Sequence, residues 1–554
     1  MNRHERRAAA RDSKKAKDSS SVAPAGKREA DDLCGLGIAL EQQGRHREAF
    51  EAFDRAVRLN PGHADVWVRH ASALANLARP AEALSSYERA LKLDRRHWDA
   101  AFGCGHLLLK LMLLEEALSR FNLCDRLQPD QAAVLEHRAV ALHNLKRFED
   151  ALADGRRAHA LDPANADICN QIGASLQKLS RDEDALPWFD KALALRPDHI
   201  TALNNKADSL SQMLRIDEAV AVYDQVKTID PNNADADLSL SFLDLLTGNI
   251  EAGFAGREVR WKTRMRPIFY PSFSQPMWRG DADIEGKTIL VYMDEGAGDA
   301  IQFARYLPML SARGARTILV VNDPLCPLLS GVSGVSQCLP KSIQSLPAFD
   351  LHCPVTNLPL ALATRLDTIP SDMPYLPRPA EARRQAWEDR LQSRLGPHDK
   401  LRVGLAWSGN PKQENDHNRS MPLRMLSGLL DADATFISLQ KDPRPDDKIL
   451  LGQTAILDLT SDLTDFAETA ALVSCLDLVI TVDTSIAHLA GALGRPTWIL
   501  LAFAPDWRWL LGRDDCPWYP TARLFRQRQR RDWADVVARV RNELARRISA
   551  FGSQ

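Results

Sequence analysis

From Ala30 onward one pattern returns every 34 residues without an insertion, and it limits what the chain can fold into more than any other feature. A small residue recurs at one phase: Gly37, Ala71, Gly105, Ala139, Gly173 and Ala207. Twelve residues later stands Ala49, Ala83, Ala117, Ala151, Ala185 and Ala219. Four further on come Phe53, Tyr87, Phe121, Phe189 and Tyr223, with Gly155 in the aromatic's place once. Proline closes most units, at Pro61, Pro129, Pro163, Pro197 and Pro231, and Arg95 replaces it in the second. A fixed period of this kind means that one small unit is stacked on copies of itself, because a single copy cannot bury its apolar face alone.

Position by position the pattern resembles the tetratricopeptide repeat. The resemblance implies helix pairs. Gly or Ala on the first helix and Ala on the second allow close approach, the aromatic fills the space between successive pairs, and proline stops the second helix. Stacked pairs imply a superhelix whose concave face holds a protein or peptide; a rigid spacer or dimer interface is the alternative. Asn170 and Asn204 share one repeat position and are candidates to clamp a peptide backbone. A degenerate seventh unit, from Ala234 to about Trp261, has Gly253 where Ala is expected and Arg257 where the aromatic should stand. It reads as a cap, and the array is expected to span residues 30–265.

Bulk properties narrow the function classes. A chain of 554 residues exceeds what one core supports, so several domains are expected. A formal charge of −2 gives no general attraction to nucleic acid. No apolar run approaches the roughly 18 residues of a membrane span. Residues 1–29 are basic without an apolar core, which reads as a solvated, disordered arm and not a secretory signal. The nine cysteines are scattered with no CxxC, which points to a reducing, cytoplasmic setting and away from structural zinc.

The texture changes after a junction at 266–284, rich in proline and aromatics, whose rings are expected to pack between the domains. Short apolar runs alternate with helical stretches: KTILVYMD, ARTILVVN and FDLHCPV in a first half (285–385), then LRVGLAWSG, TFISLQKD, the 456–459 segment, LDLVITV and TWILLAF in a second (386–520). This is the grammar of parallel α/β units. Two such halves across a cleft make the GT-B arrangement of many glycosyltransferases. The expected fold is thus an all-α repeat array followed by an α/β GT-B-like pair. Residues 521–554 read as an Arg-dense terminal helix packed by Leu524, Phe525, Trp533, Val536 and Val540.

In parallel sheets ligands lie beyond the carboxyl ends of the strands. LDLVITV ends in Asp483-Thr484-Ser485, and a helix carrying His488 follows. Free N–H groups at that helix start favour a phosphate, and Thr484 and Ser485 add hydroxyls. Asp483 reads either as a ligand to ribose or sugar hydroxyls or as a cap. His488 reads as a phosphate or sugar contact or as a core histidine. Gly296 and Gly298 form a tight turn whose amides face the cleft, and Asp299 follows as a candidate helix cap. In the loop WSGNPKQENDHNRS, Lys412 and Arg419 are fixed positive charges, with Arg419 favoured to neutralise a departing nucleotide. Gln440 is a candidate contact to base or ribose. No P-loop and no HExxH occur, and no Asp-x-Asp ends an apolar strand, so metal is not expected.

VDTSIAHLAGALGRPTWILL resembles the donor segment of the heptosyltransferase family, in which Asp-Thr-Gly, His-Leu and Gly-x-Pro recur; here Ser485 replaces the glycine. EGAGDAIQFARY, GLAWSGNP, NRS and RLFRQ are similar to stretches of bacterial tetratricopeptide-repeat glycosyltransferases, some of which are implicated in flagellin glycosylation. The resemblance implies a cytoplasmic, metal-independent, inverting transferase with Asp299 as general base and no cofactor beyond the nucleotide sugar, whose acceptor is a protein held by the repeats. The rivals are a non-catalytic scaffold, a nucleotide-sugar epimerase and a lipopolysaccharide-type heptosyl- or glycosyltransferase.

Overall fold

The computed structural model describes residues 25–263, 271–413 and 415–552. The repeated stretch is a series of helix pairs: α1 (Ala25–Gln42) with α2 (His46–Leu59), α3 (Ala64–Asn76) with α4 (Pro80–Leu93), α5 (Trp98–Lys110) with α6 (Leu114–Leu127), α7 (Ala132–Asn144) with α8 (Phe148–Leu161), and α9 (Ala166–Lys178) with α10 (Asp182–Leu195). α11 (Ile200–Gln212), α12 (Ile216–Ile229), α13 (Ala234–Thr247) and the short α14 (Ile250–Gly256) continue the series. The chain divides into two compact units between Ser209 and Leu210, inside α11.

Within the first unit the repeat chemistry is visible atom by atom. Phe53, Phe121 and Phe189 are fully buried, and each ring lies over the small residue of its own pair. A Cβ at Gly37 would stand 2.5 Å from the Phe53 ring, and one at Gly173 2.5 Å from Phe189. Tyr87 reaches on to the next pair, where a Cβ at Gly103 would meet its hydroxyl at 2.6 Å. In the fourth unit, where Gly155 replaces the ring, Ile172 of the following pair fills the space, 2.9 Å from where a Cβ would be. The turn inside each pair holds one residue at positive φ: Gly44, Ala78, Met112, Lys146 and Ser180, and beyond them Leu214 and Gly248.

The second unit carries two all-parallel sheets. In the first, β1 (Thr288–Tyr292), β2 (Arg316–Val321), β3 (Val335–Pro340) and β4 (Leu351–Pro354) stand in the order β3-β2-β1-β4. In the second, β5 (Arg402–Ala406), β6 (Thr435–Ser438), β7 (Leu478–Val482), β8 (Thr497–Leu501) and β9 (Ala522–Arg526) stand in the order β6-β5-β7-β8-β9. Chain order reverses between β1 and β4, and again between β5 and β7. β5, β7 and β8 are buried on both faces, as parallel strands under helices should be. The helices that matter for the site are α15 (Ala297–Phe303), α16 (Glu381–Leu395), α17 (Phe466–Ser474), α18 (Ser485–Ala492) and α19 (Trp533–Phe551).

Several expectations need correction. Leu524 and Phe525 lie on β9 and not on the terminal helix, which starts only at Trp533; Phe525 packs against Trp498 across the β8–β9 pair, a contact invisible from local periodicity. The 456–459 segment makes a single bridge, Ile437 to Leu457, and is not a strand. After the turn at Gly296, α15 gives way to a tight turn at Ala304–Tyr306, and a second helix begins beside Pro308. In the junction, Phe273 packs on Tyr292, Phe349 and His352, and the Trp278 amide donates to the His352 carbonyl, so this stretch lines the β4 side of the first sheet. Phe269, Tyr270 and most of the 1–29 arm lie outside the described residues, and α1 already begins at Ala25.

Candidate active site between the two sheets

The carboxyl ends of β5 and β7, where the second sheet's chain order reverses, supply one wall. After β7 comes Asp483, and then Thr484, the N-cap of α18, whose hydroxyl accepts from the Ile486 amide at 3.3 Å. Ser485 is the first helical residue. After β5 the chain turns at Trp407-Ser408-Gly409. The Gln440 Oε1 accepts from both the Trp407 and Ser408 amides, at 3.1 and 2.9 Å, so this side chain braces the loop from within. Arg419 swings back over Gly409, where a Cβ would come within 2.6 Å of its Nη2, and donates from Nη1 to the Asp483 carbonyl at 3.2 Å. Its guanidinium therefore bridges the two strand ends. Below it, Asp416 accepts from the Ser420 hydroxyl at 2.6 Å and pairs with Arg444. Lys412 is exposed on the outer part of the same loop.

The opposite wall is the turn after β1. Gly296 is the N-cap of α15, and its amide donates to Asp299 Oδ2 at 2.8 Å. Asp299 Oδ1 is paired with the Nη2 of Arg508, which arrives from the turn after β8. The same guanidinium donates from Nη1 to Asp506 at 2.8 Å and from Nε to the Gln302 side chain at 2.7 Å. It also lies over the Trp507 ring, 4.3 Å from its centroid. Arg508 thus ties the first sheet's catalytic-looking turn to the second sheet.

Burial dominates the electrostatics. It raises the pKa of Asp299 to about 6; Glu295 and Asp506 push the same way, while Arg508 and the Gly296 amide pull back. Asp483 is likewise raised to about 6, by burial and then by Asp506, against Arg419 and Arg508. Burial works against the charge of Arg508, but Asp506, Asp299 and Glu295 outweigh it and raise its pKa. The cleft holds carboxylates poised near neutrality beside permanent cations, an arrangement suited to moving a proton next to a charged leaving group.

His488 sits one turn into α18. Burial, then Arg508, Arg305 and Arg419, push its pKa well below the ordinary histidine value, so the ring is neutral. Its Nδ1 shares a 2.9 Å hydrogen bond with the Tyr519 hydroxyl, and the ring stacks on Trp509 at 5.5 Å. α15 crosses here so closely that a Cβ at Gly298 would stand 2.7 Å from His488 Cδ2. Gly298 is required by this crossing.

The structure brings Asp299, Gly298, Arg419, Asp483, Thr484, Ser485 and His488 to one cleft. Gln440 reaches it only as a brace, and Lys412 stands on the exposed loop. Asn170 and Asn204 lie in the other compact unit. There the Asn170 carbonyl accepts from Asn205 at 2.9 Å, and the Asn204 Oδ1 is buried with no hydrogen-bond partner among the described residues. Sequence reasoning missed Arg508 and Asp506. Their signal was the alternation Asp-Trp-Arg-Trp immediately beyond β8, a charge between aromatics at a strand end.

Residues 453–523 match glycosyltransferase family 9 (heptosyltransferase). That segment carries Asp483, Thr484, Ser485, His488, Asp506 and Arg508. Residues 30–63, and separately 64–97, 166–199 and 200–233, match tetratricopeptide-repeat families. Among curated proteins, Protein FlbA of Caulobacter vibrioides is 28% identical over 329 residues, covering 54% of this chain. The chain spans about half the length of that relative, 53%. Solved structures similar to part of the chain include YrrB, a TPR protein with an unusual peptide-binding site (24% identity, 34% of this chain and 96% of YrrB, TM-score 0.30). Another is a tetratricopeptide repeat protein from Parabacteroides merdae (16% identity, 44% of this chain and 96% of that one, TM-score 0.38). The chain joins tetratricopeptide repeats to a glycosyltransferase family 9 domain.

Proposed function

We propose that the chain moves a sugar from a nucleotide-sugar donor to a hydroxyl of a protein or peptide acceptor engaged by the repeats. The observation that carries this reading is the meeting of Asp299 with Arg508 across the cleft, with Arg419 held on the Asp483 carbonyl: a carboxylate of raised pKa on one wall, and cations at the strand ends on the other. The donor diphosphate lies at the start of α18, against Arg419 and the Ser485 amide. Arg508 leaves Asp299 for the phosphate as the donor enters, which frees Oδ1. The acceptor hydroxyl attacks the anomeric carbon from the face opposite the diphosphate. The new C–O bond forms, the bond to the phosphate oxygen breaks, the proton passes to Asp299, and the nucleoside diphosphate departs with its charge on Arg419 and Arg508. Such in-line displacement inverts the anomeric centre and uses no metal. Neutral His488 hydrogen-bonds to a sugar or phosphate oxygen without adding charge. Flagellin is one acceptor of the required kind.

The test is calorimetric melting of the full chain with UDP, GDP, ADP, CMP and their common sugar conjugates. Binding at 100 times the dissociation constant stabilises the native state by about 2.7 kcal/mol. One nucleotide class should raise the transition of the 210–554 unit, and Thr484→Ala with Arg419→Ala should abolish the shift. Incubation with that nucleotide's sugar conjugates and a protein acceptor should then give a mass increment of one sugar. A donor that binds and is never transferred to protein would overturn the acceptor assignment.

A further inference from the structure

The last repeat departs from its pattern at the place where it meets the candidate site. Arg257 occupies the aromatic position of the seventh unit, and it is 2% exposed. Its guanidinium passes the Phe242 ring at 5.6 Å, and its Nη2 pairs with Glu295. Its Nε and Nη1 are buried with no other hydrogen-bond partner among the described residues. Glu295 lies on the turn after β1, directly before Gly296, whose amide holds Asp299. One helical turn on, Arg260 donates to Asp294 at 3.3 Å and to Asn357, while Asp294 also accepts from the Thr356 hydroxyl at 2.6 Å. Both acids at the carboxyl end of β1 are thus held by arginines of the repeat.

The same repeat supports the other half of the pair. Phe254 of α14 packs edge-on against Trp507 at 5.5 Å and against Phe303 of α15 at 6.2 Å, and α13 lies on the 507–509 turn that delivers Arg508. One short stretch, residues 254–260, therefore backs both the turn carrying Asp299 and the turn carrying Arg508. An aromatic at position 257 would fill space in a repeat. A buried arginine there makes sense only with its acid, since an unpaired buried cation is costly.

We propose that Arg257, acting through Glu295, is a positioning residue for Asp299, so that the last repeat sets the orientation and the charge environment of the acid–base group. This rests on the role given to Asp299 above. The charged and titratable groups facing Asp299 are Glu295 on its own turn, Arg508 and Asp506 from the turn after β8, and, behind Gly298, neutral His488; Asp483 and Arg419 stand beyond Arg508. Of these, Glu295 is the one whose charge the repeat controls.

The experiment needs no substrate. The melting temperature of the full chain is measured from about pH 4.5 to 8, beside that of Asp299→Asn, and the difference is taken at each pH. With a folded pKa above its ordinary value, Asp299 stabilises least once ionised, so the difference falls as pH rises and levels off near its folded pKa. The pair is then repeated in Glu295→Gln, Arg257→Gln, the double variant and Arg257→Lys backgrounds. Removing the Glu295 charge should move the levelling point down by roughly half a unit or more, and removing Arg257 alone should move it up. The double variant should shift down as Glu295→Gln does, and Arg257→Lys should stay near the parent. If one single variant fails to fold, the double and the lysine variants still decide. Unchanged levelling points in every folded background, with only a uniform loss of melting temperature, would reduce Arg257 to a structural prop and overturn the proposal. Shifts as expected in a protein that never turns over a nucleotide sugar would leave the coupling standing and remove the transferase reading. Turnover with unmoved levelling points would do the reverse.

Discussion

At the scale of single residues, the site is governed by which carboxylate ionises and which cation holds it. Asp299 has a folded pKa of about 6, raised above the ordinary aspartate value of 3.8. As a base it must be ionised, so transfer should fall as pH drops through about 6. The stability contribution has the opposite sign: the protonated form is favoured in the fold, and stability is lost as pH rises from the ordinary value toward about 6. Asp299→Asn should therefore lower kcat by about 10²–10⁴-fold. It should also shift or flatten the acid limb of the rate profile without lowering the melting temperature at pH 8. Because Asp483 titrates in the same range, the measured limb belongs to the cluster. Arg508→Lys keeps a charge and loses the fork that grips Asp299, Asp506 and Gln302 together; kcat should drop more than nucleotide affinity does, as parallel rate and binding measurements would show. The turn residues around Asp483 and Asp299 were legible in the sequence because they directly follow apolar strands. Arg508 was not, because its partner stands 209 positions earlier in the chain.

At the scale of elements, the repeat turns and ring positions make independent predictions. Met112 holds φ 60° at the turn where the first pair uses Gly44 at φ 73°. Met112→Gly should be neutral or stabilising by up to about 1 kcal/mol, and Gly44→Met should cost about 1 kcal/mol, as read by denaturant melts. Restoring the consensus ring with Gly155→Phe should destabilise by about 1–3 kcal/mol, because Ile172 already fills that space, and Ile172→Ala should rescue it. A gain from Gly155→Phe alone would show that the fourth unit is underpacked. Helices of the array were readable because period and composition are local signals. β9 was not, since RLFRQ becomes a strand only through its pairing with β8.

At the scale of the molecule, the chain consists of two compact units with the boundary inside α11. If the repeats engage the acceptor and the α/β unit engages the donor, removing the first five helix pairs, with the cut in the turn before α11, should separate the two activities. Nucleotide affinity should stay within about threefold of the parent, a difference below 1 kcal/mol. Transfer to protein acceptor should be lost, while slow hydrolysis of the donor persists. Among the described residues no helix is long and apolar enough to cross a membrane.

The sequence by itself determined the helix pairs, most strands of the two α/β halves, and the polar turns beyond their ends, since each is written within a few dozen residues by periodicity and turn chemistry. Only the tertiary structure decided which of those turns face one another. Arg508 on Asp299, Gly298 under His488, Arg419 across Asp483 and Arg257 on Glu295 are contacts between elements remote in sequence. Their physical basis is burial: it places charges in a poorly screened space, where each is stable only beside its particular partner.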